Sequence, residues 1–259
     1  MRLARGSETD RWPLLPPVTD GRRALFAPLA DAIIPTGDPT TKTTTRDILD
    51  APLYRVADLA RFFDTPTPTV RRWFFATGQR AALVPADAAA HELSFTNLVE
   101  AYVLVALRRE YRISLQEIRK AVRYLEEELK TPHPLTDRRL KTDRVRLYFD
   151  DRALIDVSRH GQTAIRDVIG PHLERIEWDK AGALLRLWPT TRPADSLAPQ
   201  PRVVAIDPRV GFGRPTLADT GVRTAIVVQR FKGGDNLQAL ARDYGRPVGE
   251  IEEAIRFET

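Results

Sequence analysis

From Leu53 onward the chain alternates short amphipathic stretches with tight polar turns. In LYRVADLARFFDTPTPTVRRWFFATG, Val56, Leu59, Ala60 and Phe63 recur at helical spacing and share one face. Asp64-Thr65-Pro66 breaks the pattern. Thr67 before Pro68 predicts an N-cap with proline at the first helical position. Val70, Trp73 and Phe74 mark the buried side of this second helix, which is expected to stop near Gly78. Two short helices joined by such a turn predict a helix-turn-helix. LSFTNLVEAYVLVALRREYRISLQEIRKAVRYLEEELK predicts two longer helices. Ser94 caps the first, and a capping box over Ser114-Leu115-Gln116-Glu117 opens the second. The stripe of Leu115, Ile118, Ala121, Val122, Leu125 and Leu129 faces either the protein's own core or a partner.

The period changes at Arg144. RVRLYFDDRALIDVS alternates around Asp150-Asp151 and predicts a hairpin. ERIEWDKAGALLRLWP predicts another, turning at Asp179-Lys180-Ala181-Gly182, with QTAIRDVIG as a short helix between them. PTTRPADSLAPQPR is rich in proline and poor in apolar residues, which marks a linker. VVAID and RTAIVVQRF read as strands flanking a run of turns. The last stretch carries two more helices, patterned by Leu237, Leu240, Ala241 and Tyr244 and then by Val248, Ile251, Ala254 and Ile255. Residues 1–50 are broken by Pro and Thr, with one helical pattern at Arg22 to Ile34. The predicted fold class is α+β and mostly helical. It comprises a Pro/Thr-rich extension (1–50), a winged helix-turn-helix domain (51–132), a small α/β hairpin region (133–190), a linker (191–202) and a compact helix-turn-helix-like domain with short strands (203–259).

Composition narrows the function more than the fold. Of 259 residues, 42% are hydrophobic and 29% charged, enough for a sizeable core. No run of 18 apolar residues predicts a membrane helix, and the N-terminal stretch lacks the apolar region of a secretory signal. The absence of cysteine excludes a disulfide framework and thiolate metal sites. These features predict a cytoplasmic protein with no membrane partner. The 40 basic side chains against 35 acidic ones give a net charge of +5. The excess is spread out: residues 51–132 carry 12 basic and 10 acidic side chains, and residues 203–259 carry 8 of each. With no polybasic arm, a nucleic-acid reading must rest on motifs.

The glycines of AIDPRVGFGRPTLADTGVRT raise the question of a phosphate loop. Gly211-Phe212-Gly213-Arg214-Pro215-Thr216 lacks the third glycine of a dinucleotide fingerprint, and Pro215 stands where a helix should offer N–H groups. The stretch therefore reads as turns. His91, His133, His160 and His172 show no helical ligand spacing, and His133 between two prolines is expected on a surface loop. Asp150-Asp151 is expected to face water at a hairpin tip, and there is no Gly-x-Ser-x-Gly elbow. No catalytic constellation, metal site or cofactor is predicted. Recognition has the better signal. In a helix-turn-helix the first residues of the second helix reach base edges or phosphates, which here are Thr67, Thr69, Arg71 and Arg72. Arg71 and Arg72 point about 100° apart, so one is suited to a base and the other to a phosphate.

Three stretches carry a family resemblance. They are LYRVADLARFFDTPTPTVRRW with LSFTNLVEAYVLVALRR, then RRLKTDRVRLYFDDRALIDVSRHGQTAI with LERIEWDKAGALLRLWP, and then IDPRVGFGRPTLADTGVRTAIVVQRFKGGDNLQALARDYG with EIEEAIRFE. Together they cover about 53–257 and resemble the antitoxins of VapBC-type toxin–antitoxin pairs. Those antitoxins carry an N-terminal VapB-like helix-turn-helix and a C-terminal domain of unknown function, family 433. The third stretch is the most specific, although the family's Gly-Thr-Arg turn reads Gly221-Val222-Arg223 here. The resemblance implies a cognate PIN-like ribonuclease toxin as partner, operator DNA as a second, and autorepression by a homodimer. It also implies that an arginine can enter the toxin's acidic metal site, with Arg214, Arg223, Arg230 and Arg256 as candidates. The competing reading is a stand-alone MerR-like regulator sensing a small ligand, which would need a pocket in the 133–190 region.

Overall fold

The computed structural model describes residues 45–76, 78, 81–87, 92–141, 148–150, 162–192 and 200–259. The extension's Arg22–Ile34 pattern, His91, Asp151 and His160 lie outside the described residues. Residues 43–259 form one compact unit. Its first part runs α1 (Thr45–Leu49), β1 (Tyr54–Arg55), α2 (Val56–Phe62), α3 (Thr67–Phe74), β2 (Glu92–Leu93), α4 (Phe95–Arg109) and α5 (Leu115–Leu129). β1 and β2 pair antiparallel, Tyr54 opposite Leu93 and Arg55 opposite Glu92, so the α2–α3 pair is closed at its base by a two-stranded ribbon.

The helices form where the apolar spacing places them. Leu59, Val70, Trp73 and Phe74 are buried in one core with α4, which is buried on nearly every side. Ile118, Ala121, Val122, Leu125 and Leu129 of α5 belong to the same core, which settles their stripe as intramolecular, with Leu115 at its exposed end. Ser94 caps α4 as expected: its Oγ accepts from the Asn97 N–H at 3.0 Å, and Asn97 Oδ1 accepts from the Ser94 N–H at 3.3 Å. Two caps differ from expectation. At α3 the Pro66 carbonyl accepts from the Thr69 and Val70 N–H groups, so Pro66 is the cap and Thr67 the first helical residue. At α5 the Ser114 hydroxyl accepts from the Glu117 N–H at 3.2 Å, but the Glu117 carboxylate accepts from Lys120 at 2.9 Å and does not return the bond. α3 also ends at Phe74, because Phe75 is extended.

The middle part holds β3 (Tyr148–Asp150), β4 (Gln162–Ala164), α6 (Ile165–Leu173), β5 (Ile176–Trp178) and β6 (Leu184–Leu187). β5 and β6 form the expected hairpin. The Asp179 carboxylate accepts from the Ala183 N–H at 2.9 Å, and Gly182 supplies a φ of +93°. The other expected hairpin is corrected: β3 pairs with β4, Tyr148 opposite Ala164 and Asp150 opposite Gln162, so Gln162–Ala164, expected to open the short helix, is a strand and α6 begins at Ile165. One core runs from Leu49 to Ile206 and takes residues from both the helical and the α/β regions.

The last part has β7 (Val204–Ala205), β8 (Thr216–Leu217), α7 (Thr224–Lys232), α8 (Leu237–Tyr244) and α9 (Val248–Glu258). RTAIVVQRF was expected as a strand but is α7. Its Thr224, Val227 and Val228 recur at helical spacing and are buried, and burial overrides the β propensity of its branched residues. Val227, Leu240, Ile251 and Ala254 join Val203 and Leu217 in a second small core.

Candidate functional site

The α3 surface comes first. Val70, Trp73 and Phe74 are 0–2% exposed and fix the helix to the core. Thr67, Arg71 and Arg72 are exposed and Thr69 is partly buried, so the four predicted recognition residues share one helix that is anchored by its other side. Arg72 leans back along the helix, its Nε donating to the Pro68 carbonyl at 3.3 Å. The Arg71 side chain has no hydrogen bond or ion pair among the described residues. The turn before α3 is held by Arg109 of α4, which bonds the Asp64 carbonyl and sits 3.0 Å from its carboxylate. Asp64 carries a φ of +43° there.

The C-terminal arginines fall into two groups. Arg214 pairs with Asp58 of α2 at 3.0 Å. Arg230 is clamped by Asp235 and Asp243, both at 2.6 Å, and by the Tyr244 hydroxyl. Arg256 pairs at 2.5 Å with Glu253, a carboxylate that is 4% exposed. Burial raises the Glu253 pKa, but bonds from Arg192, Thr191 and Arg256 outweigh it and hold the group below its usual range. Arg223 is different: it is exposed, N-terminal to α7, and its side chain has no hydrogen bond or ion pair among the described residues. Beside it is the turn Gly211-Phe212-Gly213, all three residues at positive φ (57°, 57° and 69°). Phe212 is 77% exposed.

This turn is clasped to the β1–α2 segment. The Tyr54 hydroxyl, buried, donates to the Gly213 carbonyl at 2.8 Å. A Cβ at Gly213 would overlap that hydroxyl and lie 3.2 Å from Tyr54 Cζ, so glycine is required for the approach as well as for the backbone. Arg61 of α2 pairs with Glu258 of α9, and Phe62 stacks on Phe257 with ring centroids 6.2 Å apart. Glu258 in turn accepts from Thr224 Oγ1 at 2.5 Å. The C-terminal domain thus rests directly on α2.

Sequence reasoning missed a buried polar cluster. His133 is not on a free surface loop. Its Nε2 meets Asp87 at 2.7 Å and its Nδ1 meets Glu100 at 3.2 Å. Burial lowers the imidazole pKa, but bonds from Asp87 and Glu100 outweigh it and push it up to about 10. Glu100 is fully buried and raised by that burial, with its second oxygen unpaired among the described residues. Both ring nitrogens of His133 are used, and no group of three or more His, Asp or Glu among the described residues is arranged to hold a metal ion. The cluster fixes Asp87, whose carboxylate also accepts from the Ser94 hydroxyl, at the base of the segment leading to β2. A signal was present: Asn97 and Glu100 are polar residues three apart on an otherwise apolar helix. Arg175 was missed as well. It is 8% exposed and donates to the carbonyls of Trp188, Pro189, Gln200 and Pro201, drawing the two ends of the proline-rich segment together. No helix among the described residues is long and apolar enough to cross a membrane.

Comparison with known proteins gives three findings. A family model described as a protein of unknown function (DUF433) matches residues 204–257. A protein of Mycobacterium tuberculosis (strain ATCC 25618 / H37Rv) named "Putative antitoxin VapB45" is 30% identical over 235 residues, covering 80% of this chain and 93% of its own length. The X-ray crystal structure of Rv2018 from Mycobacterium tuberculosis is similar with a TM-score of 0.59 and 27% identity, covering 80% of this chain and 99% of that one.

Proposed function

This chain belongs to the VapB-type antitoxins of toxin–antitoxin systems, and from that premise we propose that it neutralises a PIN-like ribonuclease toxin and represses its own operon by binding operator DNA. The role is non-catalytic. The observation that carries the DNA half is α3: three buried apolar anchors hold Thr67, Thr69, Arg71 and Arg72 on its outer side, as in a recognition helix beside a β1–β2 wing. Arg71, without an internal partner, is the base-reading candidate, and Arg72, held along the helix, is the phosphate contact. A homodimer would present two such helices to paired half-sites.

For the toxin half, Arg223 is the strongest of the four candidate arginines. Arg214, Arg230 and Arg256 already have carboxylate partners, and breaking those pairs would offset what a toxin's acidic site returns. Arg223 carries no such cost.

The test is a gel shift on the chain's own promoter with wild type and the Arg71→Ala/Arg72→Ala double variant. The account expects the variant to lose affinity and its salt dependence to flatten by roughly one phosphate contact. Unchanged binding would remove α3 as the recognition helix.

A small-ligand regulator stands as a second reading on one observation. A cleft of about 760 Å³, lined by residues that include Trp178, Leu185, Arg138 and Lys141, opens mainly in the 133–190 region. A regulator of that kind would bind its promoter alone and respond to a metabolite, with no toxin encoded beside it.

A further inference from the structure

We propose that Phe212 is a pre-organised aromatic anchor that inserts into an apolar pocket of the toxin, with Arg223 pairing a carboxylate at the pocket's rim. This rests on the antitoxin reading above and adds to it the chemistry of the contact. Phe212 is the most exposed of the large hydrophobic side chains described, at 77%, whereas the others in that group are exposed by 45% or less. It also holds φ at +57°, a region that bulky side chains avoid. A water-facing phenyl group on a strained backbone is doubly unfavourable for the free protein, and such outliers persist where the surroundings over-determine them.

The surroundings do so here. The turn is bracketed by Gly211 and Gly213, closed by Gly213 N–H to the Val210 carbonyl at 3.1 Å and by Arg214 N–H to the Gly211 carbonyl at 3.2 Å. It is pinned from the other side by the Tyr54 hydroxyl and by the Arg214–Asp58 pair. The side chain is therefore presented with little backbone freedom left to lose on binding, which favours a tight contact.

The neighbours define the partner. Arg223 lies alongside Gly211, its Nε 3.9 Å from where a Cβ of that residue would be. It has no carboxylate among the described residues, so the complementary surface supplies one. Ile226, one helical turn further on α7, is 45% exposed and widens the apolar footprint. An aromatic and an arginine beside an aliphatic residue is the composition of an interface hot spot. The partner this fits is a protein with an apolar pocket edged by acidic residues.

The experiment uses the full chain and the PIN-like ribonuclease proposed as its partner, with affinity read by calorimetry or surface plasmon resonance. Phe212→Ala is expected to weaken the complex by about 30-fold or more. Phe212→Gly should weaken it similarly while raising the melting temperature of the free protein, because it relieves both the strain and the exposure. Promoter binding should be unchanged in both. If wild type binds the ribonuclease and Phe212→Ala binds equally well, the anchor is refuted while the antitoxin reading stands. If wild type does not bind, both fall. If Phe212→Ala changes the oligomeric state in ultracentrifugation and leaves ribonuclease binding intact, the residue serves self-association and the proposal is overturned.

Discussion

Replacing Gly213 with alanine tests the clasp between the C-terminal segment and the β1–α2 segment. Alanine at a φ of +69° costs about 1–2 kcal/mol in backbone strain. The new methyl group also overlaps the Tyr54 hydroxyl, which is buried and bonded to the Gly213 carbonyl. Displacing it leaves a hydroxyl and a carbonyl without partners in the interior, about 1–3 kcal/mol more. The expected destabilisation is about 2–5 kcal/mol. Gly211→Ala is the control. Its φ is +57°, but its Cβ meets the Thr216 methyl at 3.3 Å and the flexible Arg223 side chain at 3.9 Å, with no buried polar atom displaced, so about 1–2 kcal/mol is expected. Tyr54→Phe alone should cost about 1 kcal/mol, and in that background Gly213→Ala should cost less than it does in wild type, because the overlapping atom is gone. The assay is urea unfolding of the full chain followed by tryptophan fluorescence. Equal losses for Gly211→Ala and Gly213→Ala, or strict additivity with Tyr54→Phe, would refute the close approach.

Further outcomes follow from the buried polar groups. His133→Ala leaves the buried Glu100 without its cation and should destabilise by about 3–5 kcal/mol at neutral pH, measured by the same unfolding assay. In wild type the stability due to His133 is complete below its unfolded pKa of about 6.5. It declines as pH rises and is gone above about 10, because the folded imidazole holds its proton longer than the unfolded one. A His133→Gln variant should lack this decline in its melting temperature between pH 7 and 10, and an identical profile would exclude the pair. Arg175→Lys cannot reach four carbonyls with one ammonium group and should speed proteolysis between Trp188 and Arg202; an unchanged digestion rate would show that Arg175 does not staple that segment.

The helices were legible wherever apolar residues repeat at helical spacing over two turns, as in α2, α3, α5, α8 and α9. That spacing follows from burial of one face, and here local preference and packing agree. α7 was misread because Ile226, Val227 and Val228 favour strands locally, while Thr224, Val227 and Val228 are buried at helical spacing, Val227 in the C-terminal core. The β3–β4 pairing was illegible because its strands are distant in sequence, and alternation alone does not choose a partner. Among the candidate residues, the outward set on α3 could be derived from the buried set. The C-terminal arginines were not separated: Asp58 and Asp243 reach Arg214 and Arg230 only through the fold, whereas Glu253 and Arg256 are a local pair three residues apart on α9. His133 was misplaced for the same reason: flanking prolines suggest a loop, and only the tertiary structure sets it between Asp87 and Glu100.

The central claim is that this chain is an antitoxin whose C-terminal domain neutralises a ribonuclease. It is tested most directly by mixing the purified full chain with the PIN-like ribonuclease proposed as its partner and measuring RNA cleavage. The account predicts that cleavage stops at a stoichiometric amount of wild-type chain. It also predicts that Arg223→Glu requires at least about tenfold more protein, because a carboxylate there repels the acidic site. Undiminished cleavage in the presence of a molar excess of correctly folded wild-type chain would contradict it.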